Sequence, residues 1–245
     1  MDIEQTKAAL KDAVVSCPFE IVSRLFRAQP ILRSHSLKMT GIELLYRGPL
    51  PFGDPRAMLE IDIKALEHAS ILARHYREGT RVHLNAEPSS FVHREWWSAM
   101  IGNMAPDMVV EIVERNILLE HRENLRRACI VAEAVRNFGG VVALDDVNAS
   151  AIDLQAIKAI CPEIIKIEKP AVMTALRHIA PQATFVVERI DSAEMAHFAS
   201  ALGAQEIQGY WCDYMASELV PAVLTPPGIT ASDFSFQPAV TRICA

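Results

Sequence analysis

The stretch VVALDD, at residues 141–146, places an apolar run directly before two adjacent aspartates. A segment with helical periodicity follows at Ala151–Ile160, and a second short apolar run follows at Glu163–Glu168. Two short β-like runs joined by a helix are typical of a βαβ unit, in which both strands lie parallel and buried. This unit predicts an α/β fold.

The same alternation extends along most of the chain. We predict eight strands, at Arg24–Arg33, Gly41–Arg47, Arg81–Ala86, Met108–Glu114, Val141–Val147, Glu163–Glu168, Thr184–Ile190 and Glu206–Trp211. Helices are predicted at Pro55–Glu78, Ile117–Phe138, Ala151–Ile160, Ala171–Ile179, Ser192–Leu202 and Met215–Val223.

Eight strands in a chain of 245 residues fit a TIM-like (β/α)8 barrel. The first two strands are joined too tightly for a helix, so we expect one antiparallel strand near the N-terminus. A doubly wound open sheet is the alternative, but it usually carries a glycine-rich phosphate turn after an early strand, and this sequence has none. We assign residues 1–18 to an N-terminal helical extension, 19–224 to the barrel and 225–245 to a C-terminal tail.

Composition excludes several classes of protein. The net charge is -6 without a basic block, which argues against a DNA-binding or anionic-membrane surface. The five cysteines form no CxxC pair, which suits reduced cytoplasmic thiols. The N-terminus lacks the features of a signal peptide, and no apolar run approaches the ~18 residues of a spanning helix. We therefore expect a cytoplasmic protein with no membrane partner.

Polar side chains recur at the ends of the predicted strands. They are Glu43, Asn85, Glu111, the pair Asp145 and Asp146, Lys166, Glu188 and Gln208. Taken singly, Glu43 with Arg47 could form a structural ion pair, and the aspartates could cap the next helix. Isolated buried charges are costly, so the recurrence favours groups that share ligands. The carboxyl ends of barrel strands are where active sites collect.

The charges of these residues indicate which ligands they share. Five carboxylates and the single ammonium of Lys166 sum to -4, which two divalent cations would neutralise. Oxygen ligands without His or Cys suit Mg²⁺ or Mn²⁺ better than Zn²⁺. Two such ions about 3.5–4 Å apart can bind the attacking and leaving oxygens of a phosphodiester. Lys166 could then orient the attacking water or help deprotonate it.

From about Phe26 to Val220 the sequence resembles the EAL family of cyclic di-GMP phosphodiesterases, with motifs in the family's order. The matching segments are Gln29-Pro30-Ile31 (family QPI), Glu43 to Arg47 (ExLxR), His83-Leu84-Asn85 (VNL), Glu111 to Glu114 (ELTE), Leu144-Asp145-Asp146 (LDD), Ile165-Lys166-Ile167 (LKID), Val187-Glu188 (AEGVE) and Gln208-Gly209-Tyr210 (QGY).

The resemblance implies a barrel with one reversed strand and assigns roles to these residues. Glu43, Asn85, Glu111 and Asp145 would hold one metal ion, and Asp145, Asp146 and Glu188 the other. Lys166 and Gln208 would position water, and Glu188 would act in catalysis as well as metal binding. Gln29 and Arg47 would contact the dinucleotide, and Glu114 would brace the loop after Asp146. The family's product is linear pGpG, formed with Mg²⁺ or Mn²⁺ and opposed by Ca²⁺.

The loop after the aspartates departs from the family pattern. Residues 147–152 read VNASAI where the family has FGTGYS, so both glycines are replaced and Ile152 takes the place of the braced serine. Glycine adopts positive φ without steric cost, so Asn148 could replace one glycine but Ser150 is expected to be a poorer substitute. The resemblance implies that this loop supports Asp146 and a homodimer contact, so the second metal and the dimer would both depend on it.

Three functions stay open at this point. The complete ligand set favours turnover of cyclic di-GMP, because buried carboxylates are costly without metal. A catalytically weak or inactive domain would instead act as a cyclic di-GMP receptor or bind a regulatory protein. A barrel enzyme acting on another phosphodiester is the third. With no sensor domain expected in residues 1–18, regulation would come from expression, dimerisation or a partner protein.

Overall fold

A computed structural model describes residues 24–51, 53–76, 79–113 and 121–219 of the chain. The predicted extension at residues 1–18 and the predicted tail at residues 225–245 lie outside these ranges. So does Glu114, whose bracing role stays a prediction.

Eight strands close into a barrel in chain order. They are β1 Phe26–Arg33, β2 Met39–Tyr46, β3 Arg81–Ala86, β4 Met108–Ile112, β5 Val141–Leu144, β6 Ile164–Ile167, β7 Thr184–Val187 and β8 Glu206–Gln208. Strand β1 is antiparallel to both β2 and β8, and the remaining neighbours pair in parallel. The predicted α/β barrel with one reversed strand is therefore confirmed.

The described residues contain seven α-helices. They are α1 Pro55–His75, α2 Arg94–Asn103, α3 Arg122–Asn137, α4 Ala151–Ile160, α5 Met173–Ile179, α6 Ala193–Ala201 and α7 Tyr210–Leu219. Short 3-10 helices precede α2 at Pro88–Val92 and α5 at Pro170–Val172. No described helix combines the length and apolar character needed to cross a membrane.

Helix α2 is the element that the sequence analysis did not predict. Its buried side chains are Trp96 and Met100, a single pair at helical spacing. One such pair over ten residues is too short a periodic signal to separate a helix from a loop. Trp96 is fully buried and packs against Phe91, with ring centroids 4.8 Å apart.

Inside the barrel, one apolar layer lies beneath the polar residues. Its members are Ile31, Val109, Ala143, Ile164 and Val186. Side chains two apart on a strand share a face, so these five residues point the same way as Gln29, Glu111, Asp145, Lys166 and Glu188. The alternation therefore stacks a functional layer directly on an apolar floor.

Candidate metal centre

Lys166 lies at the middle of the functional layer and is fully buried. Its Nζ lies 2.9 Å from Glu43 Oε2, 2.8 Å from Glu111 Oε2 and 2.9 Å from Glu188 Oε1. Asp145 Oδ1 is a fourth neighbour, 3.2 Å from Nζ. One ammonium thus faces four carboxylates, and these five groups retain an excess of negative charge.

The protonation equilibria reflect this excess. Burial alone would lower the pKa of Lys166, but the four carboxylates raise it well above its ordinary value, so the ammonium keeps its proton. Burial and the neighbouring Glu43 raise the pKa of Glu111 well above its ordinary value. Burial raises the pKa of Asp145 against the opposing effect of Lys166. The raised pKa values of Glu111 and Asp145 mean that these carboxyls favour their neutral forms unless additional positive charge stabilises the carboxylates.

We call Glu43, Asn85, Glu111 and Lys166 the deep cluster. Glu43 connects its members: Asn85 Nδ2 donates to Oε1 at 2.7 Å, while Lys166 and Gln208 donate to Oε2. The exposed fractions of Glu43 and Glu111 are 3% and 0%. Strands β2, β3, β4 and β6 place these side chains next to one another, as predicted from their positions at strand ends.

We call Asp145, Asp146 and Glu188 the rim cluster. One oxygen from each carboxylate lies within 4.8 Å of the others, a spacing that could hold a metal ion. Burial and then the nearby Asp145 raise the pKa of Glu188 to about 8. Asp146 is exposed and has a left-handed φ of 54°. The rim cluster thus joins the deep cluster through Asp145 and Glu188, both in contact with Lys166.

The donor set fits hard divalent cations. Asp145 Oδ1 is buried and, although near Nζ, lies outside hydrogen-bond geometry, so it is an acceptor without a hydrogen bond. The side chains of both clusters offer carboxylate and amide oxygens, the ligands that Mg²⁺ and Mn²⁺ prefer. An added cation would relieve both the surplus charge and the orphaned acceptor.

Above both clusters lies an open cleft of about 810 Å³. Gln29, Glu43, Asn85, Asp145 and Glu188 are among the residues that line it. Predicted substrate residue Gln29 therefore sits where expected, with Oε1 accepting from Gln208 Nε2 at 3.1 Å.

The other predicted substrate residue, Arg47, is placed differently. It is exposed, its Nε donates to the backbone oxygen of Phe26 at 3.2 Å, and it is not among the residues lining the cleft. The prediction assumed that Arg47 belongs to β2 and points into the barrel like Glu43. Strand β2 ends at Tyr46, so the alternation of inward and outward side chains no longer applies to Arg47. Arg27 and Arg189 are the arginines that line the cleft instead.

A family model described as EAL domain matches residues 23–213. The chain belongs to the EAL domain family. Solved structures share its fold at low sequence identity. PaMucR phosphodiesterase in complex with c-di-GMP is 17% identical with a TM-score of 0.63, and the match covers 76% of this chain and 93% of that chain.

Two further structures were determined with metal and nucleotide. BlrP1 from Klebsiella pneumoniae, in a manganese and cyclic di-GMP complex, is 19% identical with a TM-score of 0.60 over 76% of this chain and 54% of that chain. The Bacillus subtilis YkuI protein, in complex with c-di-GMP and calcium, is 19% identical with a TM-score of 0.60 over 79% and 56%. A comparison with curated proteins found no match.

This EAL domain also contains a site residue to which the sequence analysis assigned no role. His83 is fully buried, and its Nδ1 lies 2.6 Å from Glu111 Oε1. Burial, with Arg81 and Lys166 nearby, lowers the pKa of His83 well below its ordinary value, so the ring is neutral and shares one hydrogen bond with the Glu111 carboxyl. His83 lies two residues before Asn85 on β3, so the sequence already indicated that both side chains point into the barrel.

The altered loop after Asp146 is built differently from our expectation. The left-handed residues are Asp146 and Ala149, with φ of 54° and 61°, while Ser150 has a φ of -65°. Ser150 is the N-cap of α4 and forms a capping box with Asp153. The expectation that Ser150 is a poor replacement for glycine was therefore wrong, because this position needs no positive φ. The alternative that Asp145 or Asp146 caps the following helix is also wrong, because the N-cap of α4 is Ser150.

Proposed function

We propose that this EAL domain is a metal-dependent phosphodiesterase that hydrolyses cyclic di-GMP to linear pGpG, with water as the nucleophile. The observation that carries the proposal is the set of four carboxylates around Lys166, two buried (Glu43 and Glu111) and two half-buried (Asp145 and Glu188), which is costly to maintain without added cations. PaMucR, a phosphodiesterase seen with c-di-GMP, shares the fold, and this likeness supports the choice of substrate.

The two clusters suggest two metal positions. Glu43, Asn85, Glu111 and Asp145 would hold one ion, and Asp145, Asp146 and Glu188 would hold the other. When bound, Mg²⁺ or Mn²⁺ would supply Lewis acidity to the phosphodiester and its attacking water, whereas we expect Ca²⁺ to inhibit.

The protein's own groups orient the reactants. Lys166 would orient the attacking water, stabilise developing charge or help deprotonate the water, because the four carboxylates that raise its pKa are the groups that the proposed cations would neutralise. Gln208 donates through Nε2 to Gln29 and Glu43, and its Oε1 is a buried acceptor without a hydrogen bond. That free acceptor can align a water hydrogen above the deep cluster.

A catalytically weak receptor for cyclic di-GMP is the second candidate. The observation that favours it is the rim: Asp146 is exposed, has a left-handed φ of 54° and directly precedes the altered loop. Partial burial of its carboxyl and the nearby Glu168 raise its pKa. If the rim holds its ion poorly, the deep cluster would still bind one cation and the nucleotide.

The test is hydrolysis of cyclic di-GMP by the purified protein with Mg²⁺, Mn²⁺ or Ca²⁺, with substrate and product separated by chromatography. We expect linear pGpG with Mg²⁺ or Mn²⁺ and none with Ca²⁺. Glu67→Gln is a matched control, because Glu67 is an exposed carboxylate of α1 that pairs with Lys64. Tight nucleotide binding without product in any metal would support the receptor and contradict turnover.

The remaining features of this proposal rest on the sequence. A cytoplasmic location, a homodimer and a regulatory protein partner stay predictions. The activity assay above does not depend on them.

A further inference from the structure

One wall of the cleft carries a cation against an aromatic ring. Arg27 on β1 and Tyr210 at the start of α7 both line the cleft. Arg27 Cζ lies 5.8 Å from the centroid of the Tyr210 ring, within cation–π range. The Arg27 side chain is 33% exposed and Tyr210 is 57% exposed, so each presents surface to the cleft.

Asp213 connects this wall to the deep cluster. Its Oδ2 accepts from Gln29 Nε2 at 3.1 Å and lies 3.9 Å from Arg27 Nη2. Gln29 in turn accepts from Gln208, which donates to Glu43. A continuous polar chain therefore runs from Arg27 to Glu43, and it sets the position of the guanidinium relative to the catalytic layer.

Backbone geometry sets the position of Tyr210. The preceding residue, Gly209, has a φ of 149°, and a Cβ at this position would lie 2.3 Å from both the backbone nitrogen and oxygen of Ile190. Glycine is required for this close approach. The contact holds the start of α7 against Ile190 in the segment that follows β7, and the tyrosine ring lines the cleft there.

We propose that Arg27 and Tyr210 form a nucleobase subsite that selects guanine, with Asp213 as the positioning residue for Arg27. The inference rests on the proposed function, since it names how that substrate is recognised. Guanine presents two acceptors, O6 and N7, to which a guanidinium can donate a bidentate pair, whereas adenine presents one acceptor and one donor there. The Tyr210 ring supplies a stacking surface for the base.

The charge distribution of the cleft supports a base contact for Arg27. Arg189, the second arginine in the lining, is bound to Glu168 at 2.5 Å beside Asp146 of the rim cluster. Arg27 lies instead beside an aromatic ring, and the carboxylate paired with it among the described residues comes no closer than 3.9 Å, beyond hydrogen-bond distance. A stacked arginine is suited to a planar ligand.

The experiment measures binding of cyclic di-GMP and cyclic di-AMP to the full chain in Ca²⁺, by titration calorimetry. The two nucleotides carry the same phosphates and differ in the base. The variants are Arg27→Gln, Arg27→Lys, Tyr210→Ala and Asp213→Asn. Arg33→Gln is the matched control, because Arg33 is an exposed arginine at the opposite end of the same strand.

We expect the unmodified protein to prefer cyclic di-GMP. Arg27→Gln should weaken cyclic di-GMP binding about ten-fold or more while changing cyclic di-AMP binding little. Arg27→Lys should not restore the preference, because it lacks the planar fork. Tyr210→Ala should weaken both nucleotides, and Arg33→Gln neither. Asp213→Asn should reduce the guanine preference, and this reduction should vanish when Arg27 is already glutamine.

Two results would overturn the inference alone. One is an equal loss for both nucleotides in Arg27→Gln, which would assign Arg27 to a phosphate. The other is an unchanged guanine preference. If the unmodified protein bound neither nucleotide, the proposed function itself would fail, and the two failures are therefore distinguishable.

Discussion

The deep cluster and the rim cluster differ in what holds them. Glu43, Asn85 and Glu111 project from strands β2, β3 and β4, inside the hydrogen-bonded barrel. Asp146 instead follows the end of β5 in left-handed geometry, and Glu188 is followed directly by Arg189, which also has a φ of 54°. Strand residues are fixed by the barrel, whereas rim residues depend on local loop conformation. Damage to the two clusters should therefore have different consequences.

The largest effect is expected in the deep cluster. Glu43→Ala should abolish detectable hydrolysis and metal binding together, a loss on the order of a hundred-fold or more, since even residues behind metal ligands typically contribute ten- to hundred-fold. The change also removes the acceptor for Asn85, Gln208 and Lys166. Hydrolysis assays and metal titration check this, with Glu67→Ala as the exposed control. An unchanged rate would contradict the proposed metal centre.

In the rim cluster, Glu188→Ala should separate binding from turnover. We expect turnover to fall about ten- to hundred-fold while the affinity for cyclic di-GMP changes little, because the deep cluster and Gln29 are left intact. Calorimetric binding in Ca²⁺ and rate measurements in Mn²⁺ provide the two readouts. Equal losses in both would mean that the clusters act as one site and that the comparison does not hold.

A buried carboxyl outside both clusters provides a test of pH dependence. Burial raises the pKa of Asp62 to about 7, in spite of the hydrogen bond that the backbone nitrogen of Glu87 donates to its Oδ2. Between the ordinary pKa of an aspartate and about 7, Asp62 therefore keeps its proton in the folded state but loses it in the unfolded state. Stability should fall by about 1 kcal/mol per pH unit between about pH 5 and 6.5. Denaturant titrations of Asp62→Asn should show a flatter profile, and an identical slope would refute the assignment.

The smallest effect is expected in the loop that supports the rim. Ala149→Gly should relieve the left-handed conformation and stabilise the fold by a few tenths to about 1 kcal/mol. Ser150→Gly should instead destabilise by a similar amount, because it removes the N-cap hydroxyl of α4. Thermal unfolding compares the two variants. Stabilisation by Ser150→Gly would show that our account of the loop is wrong.

Much of the barrel could be predicted from sequence because its signals are local. Short apolar runs marked all eight strands, polar residues marked the carboxyl ends of seven of them, and the charge at those ends marked the two clusters. The prediction was wrong about Ser150 because the sequence does not show which loop residue takes positive φ. Helix α2 was missed because its periodic signal is a single pair of buried residues.

The residues that were missed depend on contacts between distant parts of the chain. Asp213 reaches Gln29 across 184 positions, and no local periodicity connects them. Arg27 lines the cleft because β1 runs in reverse, which brings its N-terminal half to the carboxyl ends of the other strands. The alternation of side chains along β3 could have predicted that His83 points inward, but the sequence does not show that Glu111 is its partner.

The apolar floor formed by Ile31, Val109, Ala143, Ile164 and Val186 has a kinetic consequence. Because it closes the barrel beneath the deep cluster, the proposed ions would exchange with solvent only through the cleft, which the nucleotide would also occupy. Under the proposed function we therefore expect ordered binding, with the ions before the nucleotide. Release of the ions would then follow release of the nucleotide.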